Sequence, residues 1–194
     1  MLIVAVLGML VGVALFRVLR FASTPLLRSV GFYRYYSPMF FTMPLGKNVL
    51  DMHVGTAWDF ARLRERSAST IIRHVADGLA ELCAAAQRGE VSMHTRLRGT
   101  MYFLSASTLE RFGFRARALR WYEMLAFVAN YIEVCMLQSI LRRRLCWVNL
   151  RNVRIVEATM YEVLECSHSI EGVRGTLLHR STSPTVTYRS LPNS

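Results

Sequence analysis

The first sixteen residues, Met1 to Phe16, contain no charged or strongly polar side chain. A helix of that length spans about 24 Å, slightly less than the ~30 Å hydrocarbon core of a bilayer. Arg17 can snorkel, and Val18, Leu19 and Phe21 continue the apolar surface past it, so a span ending near Ala22 is long enough. A cleaved signal peptide would need a basic region before the apolar run and a small-x-small site after it. Here the basic residues follow the run, which favours an uncleaved anchor. The uninterrupted apolar start also disfavours a purely amphipathic mitochondrial presequence. Because the charge lies on the C-terminal side, the positive-inside rule puts the following domain on the cytoplasmic or mitochondrial-matrix side of a bacterial or mitochondrial inner membrane. Gly8 and Gly12 form a GxxxG with Ala5 one turn earlier, a spacing that suits close approach of another membrane helix.

Charge sets the next boundaries. The net charge is +11, carried by arginine with Lys47 as the only lysine. Residues 1–50 hold five basic side chains and no acid, residues 51–141 hold 11 basic and 9 acidic, and residues 142–194 hold 8 and 4. The balanced middle reads as a globular domain, and the basic ends as segments facing something negative. Tyr33, Tyr35 and Tyr36 cluster with Arg28 and Arg34 shortly after the apolar run. Together with Arg17 and Arg20 they suit the headgroup layer of an anionic membrane. Rings alternating with arginine also suit single-stranded nucleic acid, but the position beside the apolar run favours the membrane. The four cysteines have neither metal-ligand nor redox spacing and read as free thiols in a reducing compartment.

Periodicity then sketches the domain. Ile71, Val75, Leu79, Leu82 and Ala86 recur at helical spacing, with Gly89 where a left-handed C-cap belongs. Residues 91–104 alternate apolar and polar, which predicts a strand or hairpin whose outer face carries His94, Arg96 and Arg98. Residues 107–110, Ser-Thr-Leu-Glu, have capping-box spacing, as do Thr159 and Glu162. The stretch from Trp121 to Leu141 is long enough to cross a membrane, yet it contains Glu123, Asn130, Glu133 and Gln138 as a polar stripe. Arginines flank it on both sides, so it reads as a core helix that stays on one side of the bilayer. The expected fold is α+β and helix-dominated: a transmembrane anchor at 1–22, a membrane-surface linker at 23–47 and an α+β domain at 48–166. In that domain, strands around 91–104 and 147–156 pack on a long central helix around 115–145. Residues 167–194 are expected to be a tail ordered only with a partner.

No catalytic signature stands out. His53 and Asp59 are separated by five residues, one more than the His-x4-Asp spacing of glycerolipid acyltransferases, so that pattern is not met. The chain has no phosphate-binding glycine loop, no nucleophile elbow and no paired zinc ligands. No cofactor or metal is expected. The leading expectation is a membrane-anchored, non-catalytic subunit or assembly factor whose partners are anionic lipids and other membrane-protein subunits. The alternative is a small membrane-surface enzyme acting on a lipid, with His53 and Asp59, or Glu123 and Glu133, as its polar groups. The third is a membrane-tethered nucleic-acid binder.

Overall fold

A computed structural model describes residues 1–182, apart from the side chains of several residues in the first helix and of residues 177–182. The fold is α+β and mostly helical, with one six-stranded mixed sheet. The order along the chain is α1 (Leu2–Ser29), β1 (Arg34–Ser37), β2 (Phe40–Gly46), β3 (Val49–Val54), α2 (Ala57–Arg62), α3 (Ala68–Gln87) and β4 (Arg96–Met101). Then come α4 (Ala106–Arg111), β5 (Arg115–Ala118), α5 (Trp121–Ala129), α6 (Tyr131–Arg142), β6 (Arg154–Thr159), α7 (Met160–Glu165) and α8 (Ser167–Thr182). The sheet order is β1-β2-β3-β4-β6-β5, antiparallel except for the β3–β4 pair, which is parallel. A parallel pair needs a crossover, and α2 with α3 supplies it.

Local chemistry explains the element ends. Asn48 turns the β2–β3 hairpin with φ 59°, a left-handed value that Asn tolerates. The Ser67 side chain accepts from the Thr70 N–H to start α3, and Gly89 at φ 78° ends it. Thr159 and Glu162 close a reciprocal capping box on α7. Gly113, at φ 82°, follows α4, and a Cβ there would lie 2.5 Å from the Glu162 carbonyl oxygen.

The core lies on one face of the sheet. Ile71, Val75, Leu79 and Leu82 of α3 pack with Phe40, Met52, Leu97, Val156 and Ala158 of the strands. Each such aliphatic side chain contributes roughly 1.5–3 kcal/mol on burial. Ile170 brings α8 into the same core, and Arg174 Nε donates to Asp77 Oδ1 at 2.8 Å. Residues 167–182, expected as a loose tail, are therefore a helix docked on α3; residues 183–194 lie outside the described part.

Three further expectations change. Residues 34–46, expected as a membrane-surface linker, form β1 and β2. Pro44 is tolerated because it lies past the β1 residue that pairs with Thr42, where one side of β2 has no neighbouring strand. The long helix at 115–145 is instead a strand, β5, followed by two helices bent by 60° at Asn130. The strand segments are shorter or shifted: Arg96–Met101 within 91–104, and Arg154–Thr159 instead of 147–156. Among the described residues no single helix is long and apolar enough to cross a membrane, whereas the α5–α6 pair passes together as a bent pair.

The first helix runs to Ser29, through Pro25. Proline has no N–H for the carbonyl four residues earlier. That carbonyl, of Phe21, instead accepts from Trp58 Nε1 at 3.0 Å, and the Phe21 and Trp58 rings stack at 4.6 Å. The proline thus leaves a free acceptor that ties α1 to the domain.

Candidate functional site

The parallel strands separate at their C-terminal ends. Their pairing runs from Val49↔Arg96 to Met52↔Gly99 and stops. Yet β3 continues beside β2 to Val54, and β4 beside β6 to Met101. Open sheets place ligands outside the carboxyl ends of their strands, where neighbouring connections part. A cleft of about 430 Å³ occupies that position here, on the sheet face opposite α3.

Strand alternation decides what lines it. Along β3, Leu50, Met52 and Val54 belong to or pack on the core, while Asp51 and His53 fall on the other face. On β4 the same face carries Arg98 and Thr100. The α5–α6 pair overhangs this floor with Phe127, Asn130, Glu133, Val134 and Leu137. Phe21 and Thr24 of α1, with Thr56 and Trp58, close the other side. Apolar walls thus surround a few polar groups, the usual make-up of a small-molecule site.

His53 is the group with the clearest chemical potential. Its Nε2 lies 2.9 Å from Asp51 Oδ2, at ion-pair distance but without hydrogen-bond alignment. The Phe41 ring stacks on the imidazole at 5.2 Å and fixes its plane. A histidine held in place beside a carboxylate can serve as a general base. Tyr102 also lines the cleft, and burial, with Glu133 and Cys135 nearby, pushes its hydroxyl up to about 12. It stays protonated at neutral pH and can donate a hydrogen bond.

Other expected site residues have structural duties. Asp59 is 5% exposed. It accepts from Thr56 N–H (2.7 Å), Thr56 Oγ1 (2.8 Å), Tyr35 OH (2.8 Å) and Arg28 (3.3 Å). It caps α2 and pins α1 to the sheet, and the carboxylate beside His53 is Asp51. Glu123, 6% exposed, accepts two bonds from Arg117 at 2.7 Å, one from Arg98 at 2.6 Å and one from the Arg120 backbone N–H at 2.7 Å. Arg117 is the main cause of a carboxyl pKa held down to about 2, against the opposing effect of burial. Such a permanently ionised group cannot serve as a proton donor near neutral pH. Glu133 lines the same cleft as Glu123.

The aromatic-basic cluster is used internally. The Arg28 guanidinium sits 4.2 Å over the Tyr35 ring, and the Tyr33 ring lies 4.9 Å from Phe41. Arg34 pairs with Glu90 and lies 5.4 Å from the Tyr36 ring. Burial and the bond to Asp59 raise the Tyr35 hydroxyl above its ordinary value. Gly8 and Gly12 face open space, with nothing within 4 Å of an added Cβ. The side chains of Ala5, Arg17 and Arg20 lie outside the described part.

Asp51, Thr100 and Tyr102 are the cleft residues that sequence reasoning missed. For Asp51 the signal is the alternation in Val-Leu-Asp-Met-His-Val at 49–54, which makes it a same-face neighbour of His53 in a strand; Thr100 and Tyr102 belong to the polar positions of the alternation at 91–104. Among the described residues no group of three or more His, Cys, Asp or Glu side chains is placed to hold a metal ion. No protein-family model, curated protein or solved structure matches the chain.

Proposed function

We propose that the chain is a small membrane-anchored enzyme that takes an amphiphilic, lipid-like substrate into the cleft between β3 and β4. His53, stacked on Phe41 and beside the Asp51 carboxylate, removes a proton from a hydroxyl, an amine or a water at the start of a transfer or hydrolysis step. The observation that carries this reading is the His53–Asp51 contact, set where the parallel pairing ends and beneath apolar walls. Phe127, Val134, Leu137 and Phe21 suit an alkyl chain; Thr56, Thr100 and Glu133 suit a polar head. In this reading α1 is the bilayer anchor, with the domain on the cytoplasmic or matrix side; the reading rests on the uncharged sequence Met1 to Phe16, although among the described residues no single helix is long and apolar enough to cross a membrane. Support comes from its bare apolar surface: Val4, Leu7, Val11, Leu15, Val18 and Leu19 are all exposed.

The accessory-subunit reading stands second, favoured by the open glycine face of Gly8 and Gly12, onto which another helix backbone can pack. Nucleic-acid binding loses its motive, because the tyrosines that would stack bases are engaged within the domain. The test is turnover. Full-length protein in vesicles of a polar lipid extract is followed by mass spectrometry beside His53→Gln. A lipid species consumed by the wild type, with a rate loss of roughly 10²–10⁴ in the variant, supports the enzyme. No change with the wild type, or equal turnover by the variant, rejects it. Loss of a defined larger particle on Gly8→Leu would then favour the subunit.

A further inference from the structure

The α5–α6 elbow carries a second surface. Trp121, Leu125, Val128, Ile132, Met136 and Ile140 follow one another at intervals of three or four, and all are exposed, Ile132 at 79% and Trp121 at 76%. The opposite side of the same helices is committed to the domain through Glu123, Phe127, Cys135 and Leu137. Exposed apolar stripes of this extent mark interaction surfaces. Exposed arginines stand at both ends of this one: Arg120 before it, and Arg142, Arg143 and Arg144 after it. Leu145 and Trp147, also exposed, extend the apolar surface beyond the second group.

We infer that this elbow lies in the interfacial layer of an anionic lipid leaflet, with the stripe among the acyl chains and the arginines on the headgroups. The inference rests on the proposal that α1 anchors the chain in a bilayer. An apolar face bounded by cationic residues matches an interfacial amphipathic helix. Crossing the bilayer would carry Glu123 with Arg98 and Arg117 into hydrocarbon, which is expensive. The last turns of α1 and the inner side of the elbow line the same cleft, through Phe21, Thr24, Phe127 and Leu137. With the elbow immersed, the cleft opens at the lipid surface and an amphiphile enters sideways without passing through water.

The test uses full-length protein in phosphatidylcholine–phosphatidylglycerol vesicles with brominated acyl chains, read by quenching of tryptophan emission. The three tryptophans are Trp58, Trp121 and Trp147. Bromines near the headgroup quench the wild type, and Trp121→Phe lowers that quenching about twofold. Omitting phosphatidylglycerol, or introducing Ile132→Glu with Met136→Glu, lowers it by a similar factor. If the protein stays with the vesicles through an alkaline wash while Trp121→Phe leaves quenching unchanged, the elbow does not touch lipid and this inference alone falls. Strongest quenching by bromines at the chain ends would mean a crossing and overturn it too. Release of the protein by the alkaline wash would instead reject the anchor, and this inference with it.

Discussion

Replacing Glu123 by glutamine should destabilise the fold by about 3 kcal/mol at neutral pH. The carboxylate is buried and receives four hydrogen bonds from Arg117, Arg98 and the Arg120 backbone. Glutamine keeps the shape and loses the charge, taking from Arg98 its carboxylate partner and leaving Arg117 with Glu157 alone. Breaking a buried ion pair on one side typically costs about 3–5 kcal/mol. Linkage gives a similar figure. The carboxyl pKa falls from its ordinary value to about 2 on folding, and a shift of that size is worth about 3 kcal/mol. Because the folded pKa is the lower one, this stability is fully present above the unfolded pKa and is lost as pH falls through the folded one. The gap between wild type and Glu123→Gln should therefore shrink to about 1 kcal/mol at pH 3. Urea titrations of both proteins in the same detergent, at pH 7 and at pH 3, read the difference. A gap below about 0.5 kcal/mol at pH 7, or one independent of pH, refutes the reasoning.

Asp59→Ala should lower stability by about 2–4 kcal/mol in the same titration, because it uncaps α2 and strands the Tyr35 hydroxyl and Arg28. Its effect on α1 should appear as faster proteolysis between α1 and the sheet. Gly113→Ala should cost about 1–3 kcal/mol, since its φ is left-handed and the new Cβ meets the Glu162 carbonyl; equal stability would contradict the tight approach. Burial pushes the Cys83 thiol up to about 11, so at pH 8 a maleimide should modify the half-buried Cys146 and Cys166 well before it.

Helix α3 and the α7 cap were legible in the residues because each rests on a local code: a 3.6-residue apolar period in one, a Thr-x-x-Glu box in the other. Helix α4 was placed two residues late, since Ser105, not Ser107, accepts from the third residue onward. Strands β1 to β3 were hidden for a physical reason. Tyr35, Tyr36, Phe40 and Phe41 put rings on both faces of the sheet, so apolar and polar residues do not alternate there. The partners of the β1 polar groups, Asp59 for Tyr35, Glu90 for Arg34 and the His74 carbonyl for Ser37, are far along the chain. The bend at Asn130 is equally hidden, as no Pro or Gly stands anywhere between Trp121 and Arg144 to mark it. The site followed the same pattern. His53 stands out in the sequence, but its spacing there points down the chain to Asp59, whereas the pleat of β3 brings Asp51 beside it.

The cleft is best tested by asking what fills it. Full-length protein in vesicles would be illuminated with a fatty acid bearing a diazirine on its chain, and the adducts mapped by peptide mass spectrometry. The account predicts adducts concentrated at Phe127, Val134 and Leu137 and on residues 51–58, lost when Ala126→Trp fills the cleft. Adducts confined to α1, or unchanged by Ala126→Trp, would contradict a lipid-binding cleft.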